Sequence, residues 1–522
     1  MTAVKIHLLS LFLMFGLGIQ AQTPAIYNEL NEALPEESNK EFQFIAYFYN
    51  HVINTNVYPT SDFLKGQVVG RLFGQNTSTT SDSLRPMYFE QRILPFFFYS
   101  PKLFDGRVTL RASFEIDFTW GDGSYSTGGN SGGAISSDFV NLQTQNLEVE
   151  LIPVKGWKVN LGLQRMYDTP YNPYTTFFEK MLNTSYRLNY WGTDAVGVSV
   201  RKDNDFSSFK AGFYQLYENA IQLDDDVQLF EFNYRRRLNT KLNIGGSVYY
   251  IRDRGNGQGG PSIIGQGLNS TLAVFNGAYR FPFGSTNYKS DIAWLGGYFS
   301  YNDDILSDNL FASGYFNYNL GSTHLKPNEV WEKGPTIGGF GSNLRLGYRY
   351  DQTVNDIVWL DATYTSGDQN GIVDDKYSGV VTGNSWGTPA ALHVNHGGYL
   401  LFPHANVVNR YIAAVTDISN MGLGISAIHV NASKDIIPHK FSTKVGMAAG
   451  WSNAIPAGGG KFIGTEINAK LAYQLGVFMS VELHAAYLNL GNFYDSSIVN
   501  GGIDGRPANP YTAFISFKWL MF

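Results

Sequence analysis

The sequence sets charged residues at alternate positions of runs whose other positions are apolar, and its chemistry lies in that spacing. The basic residues in these polar phases are Arg107, Arg111, Lys158, Arg201, Lys210, Arg235, Arg237, Arg345, Arg349, Lys440, Lys444, Lys470 and Lys518. The acids are Glu115, Asp117, Glu148, Glu150, Glu231, Asp361, Glu466 and Glu482. Thirteen cations against eight acids leave this face with surplus positive charge. Fixed charge on a low-dielectric wall around water selects ions of opposite sign. Arginine adds a planar pair of donors that matches a carboxylate. The chemistry expected of such a surface is guidance of anionic solutes. The plainer alternative is a set of charges that neutralise one another across a wall.

Other chemistries fit less well. Gly255–Gly260 matches G-x-G-x-x-G, but Pro261 and more glycine follow where a dinucleotide site needs a helix to open. His393, His396 and His404 share one loop without a carboxylate at a diagnostic second-shell spacing, so no metal is expected. Asp368-Gln369-Asn370-Gly371 begins like a calcium loop and then lacks its remaining ligands, which leaves a turn. There is no G-x-S-x-G or H-E-x-x-H, and His484 two residues from Glu482 reads as a hydrogen-bonded structural pair rather than catalytic machinery. No cysteine is present, which excludes disulfides, thiolate zinc, iron–sulfur clusters and c-type haem. Neither enzyme activity nor a cofactor is expected. A net charge of −6 makes nucleic acid an implausible partner.

The elements that must carry these charges are strands. In 107–118, Val108, Leu110, Ala112, Phe114, Ile116 and Phe118 alternate with Arg107, Thr109, Arg111, Ser113, Glu115 and Asp117, a period of two that a helix would scramble. Phe230, Phe232 and Tyr234 oppose Glu231, Asn233 and Arg235, and Leu344, Leu346, Tyr348 and Tyr350 oppose Arg345 and Arg349. Towards the end, Ile463, Ile467, Ala469, Leu471 and Tyr473 form one row, Val477, Met479, Val481, Leu483 and Tyr487 the next, and Ile515, Phe517, Trp519 and Met521 the last. Aromatics make up 15% of the chain and charged residues 16%, against roughly 25% charged in average soluble proteins. Strands of about ten residues with aromatic ends suit a bilayer crossing. A closed sheet satisfies the rule that no strand edge may face lipid.

The expectation is an all-β, transmembrane, antiparallel up-and-down β-barrel. Residues 1–21 read as a secretory signal peptide cleaved near Ala21: Lys5 precedes an apolar run, Leu8–Ile19, that is too short to span a membrane. Residues 22–40 read as a short polar periplasmic segment and 41–522 as the barrel. At about 28 residues per strand and loop, 522 − 21 = 501 residues give about 18 strands, or 16. The stretches 121–138, 253–270 and 366–397 read as long Gly-, Ser- and Asn-rich loops, whereas Leu238–Thr240 reads as a tight turn. Long loops outside the cell and short turns in the periplasm are the usual asymmetry.

Several short stretches resemble the alginate-export family of bacterial outer-membrane barrels, best over the last third of the chain. They are Tyr364-Thr365-Ser366-Gly367-Asp368, Leu401-Phe402-Pro403-His404, Ile463-Gly464-Thr465-Glu466-Ile467-Asn468 and Tyr487-Leu488-Asn489-Leu490-Gly491-Asn492-Phe493-Tyr494, with a weaker match at Gly162-Leu163-Gln164-Arg165. The chain departs from the family pattern at Leu163 and Asn468. The resemblance implies an 18-stranded monomer whose basic lumen passes an anionic polysaccharide or related acid, with Arg165, Asp368, His404 and Glu466 at matching positions. The partners it implies are outer-membrane lipid, an anionic saccharide or organic-anion solute, and a periplasmic export partner. The expected function is passive conduction, and the alternatives are a general diffusion porin, a barrel enzyme and a surface-attachment protein.

Overall fold

A computed structural model describes residues 41–59, 68–73, 78–85, 87–120, 141–167, 191–218, 224–255, 287–302, 305, 307–371, 373–381, 383–384, 397–404, 410–416 and 418–521. The expected signal peptide, the polar lead-in, residues 256–260, His393 and His396 lie outside the described residues, as do the side chains of Glu115, Asp117 and Arg165.

The alternating segments form eighteen strands that close on themselves. They are Phe42–Thr55 (β1), Met87–Tyr99 (β2), Val108–Trp120 (β3), Asn141–Leu151 (β4), Trp157–Tyr167 (β5), Trp191–Asp203 (β6), Ser207–Glu218 (β7), Asp226–Arg237 (β8) and Leu242–Asp253 (β9). The second half comprises Tyr288–Tyr301 (β10), Leu310–Leu325 (β11), Glu332–Arg349 (β12), Ile357–Thr365 (β13), Ile425–Ile437 (β14), Phe441–Ser452 (β15), Phe462–Gly476 (β16), Met479–Leu490 (β17) and Tyr511–Met521 (β18). Each pairs antiparallel with its sequence neighbours, and β18 pairs with β1 from Ala46↔Met521 to Thr55↔Thr512, so the sheet has no free edge. The short turns, among them 204–206, 238–241 and 438–440, share one rim with the start of β1 and the end of β18. The longer connections, including 56–86, 366–424 and 491–510, share the other. At the 238–241 turn the Asn239 side chain accepts the N–H groups of Lys241 and Leu242, both at 2.9 Å, which fixes the reversal in place.

Alternation sorts the two faces as the sequence predicts, with apolar rows outward. Phe232 is 47% exposed while its neighbour Glu231 is 5% exposed. On β11 the outward residues Leu310, Phe316, Tyr318 and Leu320 are exposed. From Leu310 to Leu320 is on the order of 33 Å of strand, which at barrel tilt gives a band about 25 Å tall, the height of a bilayer's apolar layer. In water, each such Leu or Phe would forgo about 1.5–3 kcal/mol of burial. An exterior of this kind is matched to hydrocarbon rather than to solvent.

Two readings need correction. Ile463 does not lie on the outer row with Ile467, Leu471 and Tyr473 but is fully buried inside. A bulge opposite Gly450 and Trp451, which pair with Gly464 and Phe462, inserts one extra residue and turns Ile463 inward. Tyr350 and Val477 fall in turns rather than in strands, and Tyr350 donates its hydroxyl to the Ser433 carbonyl at 2.6 Å.

Candidate solute path and its inward loop

The described parts of the connection from β13 to β14, within residues 366–424, lie across the barrel instead of standing above it. Lys376–Tyr377 pairs parallel with Thr336–Ile337 of β12. Gly383–Asn384 then pairs parallel with Trp191–Gly192 of β6, six strands away around the wall. Arg410–Ala413 pairs parallel with Val68–Arg71 from the first long connection. Between these pairings, Tyr399, Leu400, Leu401 and Phe402 are buried in an interior cluster with Phe73, Ile463, Leu488, Phe493 and Tyr494. The path ends where it began. Thr365 donates its hydroxyl to the Ile418 carbonyl at 2.7 Å and accepts the Ile425 N–H at 2.9 Å. Gly424, at φ +66°, lies so close to Gly367 that a Cβ there would come within 2.6 Å of the Gly367 nitrogen.

Glu466 holds this loop to the wall. Its carboxylate accepts the N–H groups of Tyr399, Leu400 and Leu401 at 2.8, 2.8 and 2.7 Å, three consecutive amides that a buried loop would otherwise leave unpaired. Asn468 donates to Glu466 at 2.6 Å, and Lys444 donates to Asn468 at 2.7 Å and to the Gly397 carbonyl. Next along the wall, His484 lies between Glu482 at 2.9 Å and the Tyr399 hydroxyl at 2.9 Å. An ionised carboxylate only accepts, so Nε2 carries the proton towards Glu482, and Nδ1 accepts from Tyr399. His404 stacks on Tyr399 with ring centroids 4.0 Å apart. Asp368, at the start of the loop, accepts the N–H and the hydroxyl of Ser378 at 2.7 and 2.8 Å and the Asn370 N–H at 3.1 Å, the geometry of a plain turn. Three of the residues singled out by resemblance, Asp368, His404 and Glu466, thus converge on positioning one loop. A second anchor was not apparent from the sequence: Trp294 and Asn319 both donate to the Val381 carbonyl, at 2.8 and 2.9 Å. The alternation does place Trp294 and Asn319 on inward phases, but only the register shows what they meet.

The charged wall is largely paired. Arg111 reaches Glu150 at 2.9 Å, and Arg201 reaches Glu150 at 3.3 Å and Asp203 at 2.8 Å. Lys210 reaches Glu231 at 2.8 Å, Arg345 grips Asp361 with two donors at 3.0 and 2.8 Å, and Lys518 meets Glu482 at 2.6 Å. Glu148 accepts from Asn160 at 3.2 Å. Lys158, Arg235 and Lys470 are half-buried on the inner face, and among the described residues none of them is in ion-pair contact with an acid, although Glu150 lies within electrostatic reach of Lys158 and Glu482 within that of Lys470. The register also sets cations side by side. Lys158 faces Arg201 and Arg201 faces Lys210 across β5, β6 and β7, while Lys444 faces Lys470 across β15 and β16.

The remaining basic residues lie at the short-turn rim rather than along the path. Arg107 and Arg237 are exposed beside turns. Arg349 donates to Asn309 at 3.3 Å, and Lys440 sits 5.1 Å from the ring centre of outward-facing Tyr473. Among the described residues no cluster of His, Asp and Glu could hold a metal ion.

No family model matches this chain, and no curated protein matches it at a significant level. Among solved structures, similarity is found to OccAB4 of Acinetobacter baumannii at 10% identity and a TM-score of 0.48, covering 92% of this chain and 98% of that one. A BenF-like porin from Pseudomonas fluorescens Pf-5 is similar at 9% identity and a TM-score of 0.47, covering 92% and 99%. OpdL of Pseudomonas aeruginosa is similar at 9% identity and 0.46, with the same coverage.

Proposed function

We propose that this chain is a passive channel of a bacterial outer membrane that conducts small organic anions and acidic saccharides short enough to pass the inward loop. It would act as a single barrel, with its long connections at the cell surface. One observation carries the preference for anions. Each described acid of the inner polar rows has a partner, whereas Lys158, Arg235 and Lys470 have no acid in ion-pair contact, and Lys158 and Lys470 share Glu150 and Glu482 with cations that lie closer, so the wall keeps surplus positive charge. Like charges placed directly opposite one another repel. Lys158 beside Arg201, and Lys470 beside Lys444, would therefore be stabilised by an anion that enters, whereas Arg201 and Lys210 already hold acids. The loop supports a narrow path rather than a wide one, because it occupies the lumen along β14 to β18 and is pinned there by Glu466.

The ion pairs favour a second reading, a general diffusion porin with little charge preference. Planar-bilayer recording under a salt gradient separates the two. A reversal potential on the anion side supports the proposal, and one near zero supports the alternative. Absence of any conductance from correctly folded barrel overturns both.

A further inference from the structure

The outer face of the wall carries its own row of basic residues at the long-loop rim. Lys289 on β10 pairs directly with His324 on β11, and His324 with Lys333 on β12. Strand geometry brings their side chains together, since directly opposed residues have Cβ atoms about 5 Å apart. A bulge creates the third member of the row. Between Ser322 and His324 the partner residue jumps from Thr336 to Lys333, so Gly334 and Pro335 are both buried and Lys333 returns to the outer face. His324 and Lys333 are exposed, and neither has an acidic partner among the described residues. Lys289 shares Asp224, at 3.2 Å, with Arg252.

Apolar surface accompanies the row. In the connection 326–331, Val330 is 61% exposed and Trp331 39%. The ammonium groups of Lys289 and Lys326 lie 4.8 and 5.9 Å from the Trp331 ring centre. The apolar band begins at Leu320, four residues below His324, on the order of 13 Å along the strand. The row therefore stands in the headgroup layer above the hydrocarbon, and an indole beside it has the amphipathic character of that layer.

We infer that the Lys289–His324–Lys333 row, with Trp331 beside it, is a docking site for a phosphate-bearing lipid headgroup of the leaflet facing the long connections. The inference rests on the membrane-spanning reading but not on conduction. A phosphate monoester sitting across the row would meet the two ammonium groups with the imidazole between them, and Val330 and Trp331 would cover the first part of the acyl chains. Inorganic phosphate offers the same charge without the apolar contact, so the commitment here is to the lipid.

The test uses the folded full-length barrel in neutral detergent micelles, titrated with bisphosphorylated lipid A, with its dephosphorylated counterpart and with inorganic phosphate. Native mass spectrometry counts bound lipid. Lys289→Gln combined with Lys333→Gln should weaken binding of the bisphosphorylated lipid by about tenfold or more, and Trp331→Ala should weaken it less. Equal binding by wild type and the double variant overturns the site, as does equal binding of the dephosphorylated lipid. Equal stabilisation by inorganic phosphate alone overturns the lipid commitment. Bilayer conductance of the same variants should be unchanged. A barrel that binds this lipid but never conducts would defeat the channel reading and leave this one standing.

Discussion

Glu466 on β16 accepts the Leu401 N–H at 2.7 Å, and through this bond and its two neighbours a strand of the wall fixes a loop in the lumen. Replacing the carboxylate leaves three buried amides without acceptors, each costing about 1–3 kcal/mol. Glu466→Ala should therefore free residues 397–404 while the eighteen-stranded register survives, because that register rests on backbone pairing. Single-channel conductance should rise, and limited proteolysis should cut near 397–404. Unchanged conductance in a folded variant would show that this loop does not limit the path.

Arg345 and Asp361 face each other on β12 and β13 and form a two-donor ion pair whose carboxylate is buried. Arg345→Gln leaves that buried carboxylate with the Asn343 amide but no cation and should destabilise the barrel by about 3 kcal/mol. It should also shift the reversal potential towards cations. The double variant Arg345→Gln with Asp361→Asn removes both charges and should recover most of each loss. A double variant no better than the single one would mean that the pair does not act as a unit.

Lys470 makes a cleaner probe of selectivity, because no acid is bonded to it among the described residues and Lys444 lies directly opposite. Lys470→Gln should reduce anion preference with no loss of stability. Urea titration in lipid vesicles and reversal potentials measure the two separately. An unaltered reversal potential in this variant and in Lys158→Gln would argue that the unpaired cations do not set selectivity.

At the short-turn rim, the hydrogen bond from the Lys241 ammonium, then those from the Tyr301 hydroxyl and the Asn309 N–H, hold the Asp308 carboxyl well below the usual carboxylate range. A depressed value means that the contribution is fully present above the unfolded carboxyl's value and fades as pH falls through the folded one. Asp308→Asn should lower the urea midpoint slightly at pH 7, and wild type and variant should converge as the solution becomes strongly acidic. Identical midpoints at neutral pH would remove Asp308 from the account of this turn.

The barrel was legible in the sequence because strand alternation is a local signal. Phe230–Arg235 sorts its own faces without reference to any other segment. What the sequence hid was pairing. Arg111 and Glu150, or Arg345 and Asp361, are far enough apart along the chain that only register reveals them as partners. Bulges defeated the alternation locally, as at Ile463, because one inserted residue reverses every phase beyond it. The inward loop did leave a trace. Tyr399-Leu400-Leu401-Phe402 is an apolar run inside a connection otherwise rich in Gly and Asn, and such a run has no reason to stand in water. The resemblance marked Glu466 as a position of interest, but alternation alone reads it as one more inner-face acid, and that it holds this loop shows only in the fold.

The seam between β18 and β1 has a consequence for assembly. The earliest and latest strands must meet in one particular alignment before the cylinder exists, and contacts so distant along the chain form slowly. Until they meet, two raw borders of unsatisfied backbone stay exposed, and no intermediate can rest stably in hydrocarbon. A misaligned pair anywhere around the circumference would appear at this last joint as a row turned the wrong way, so the final closure proofreads the other seventeen.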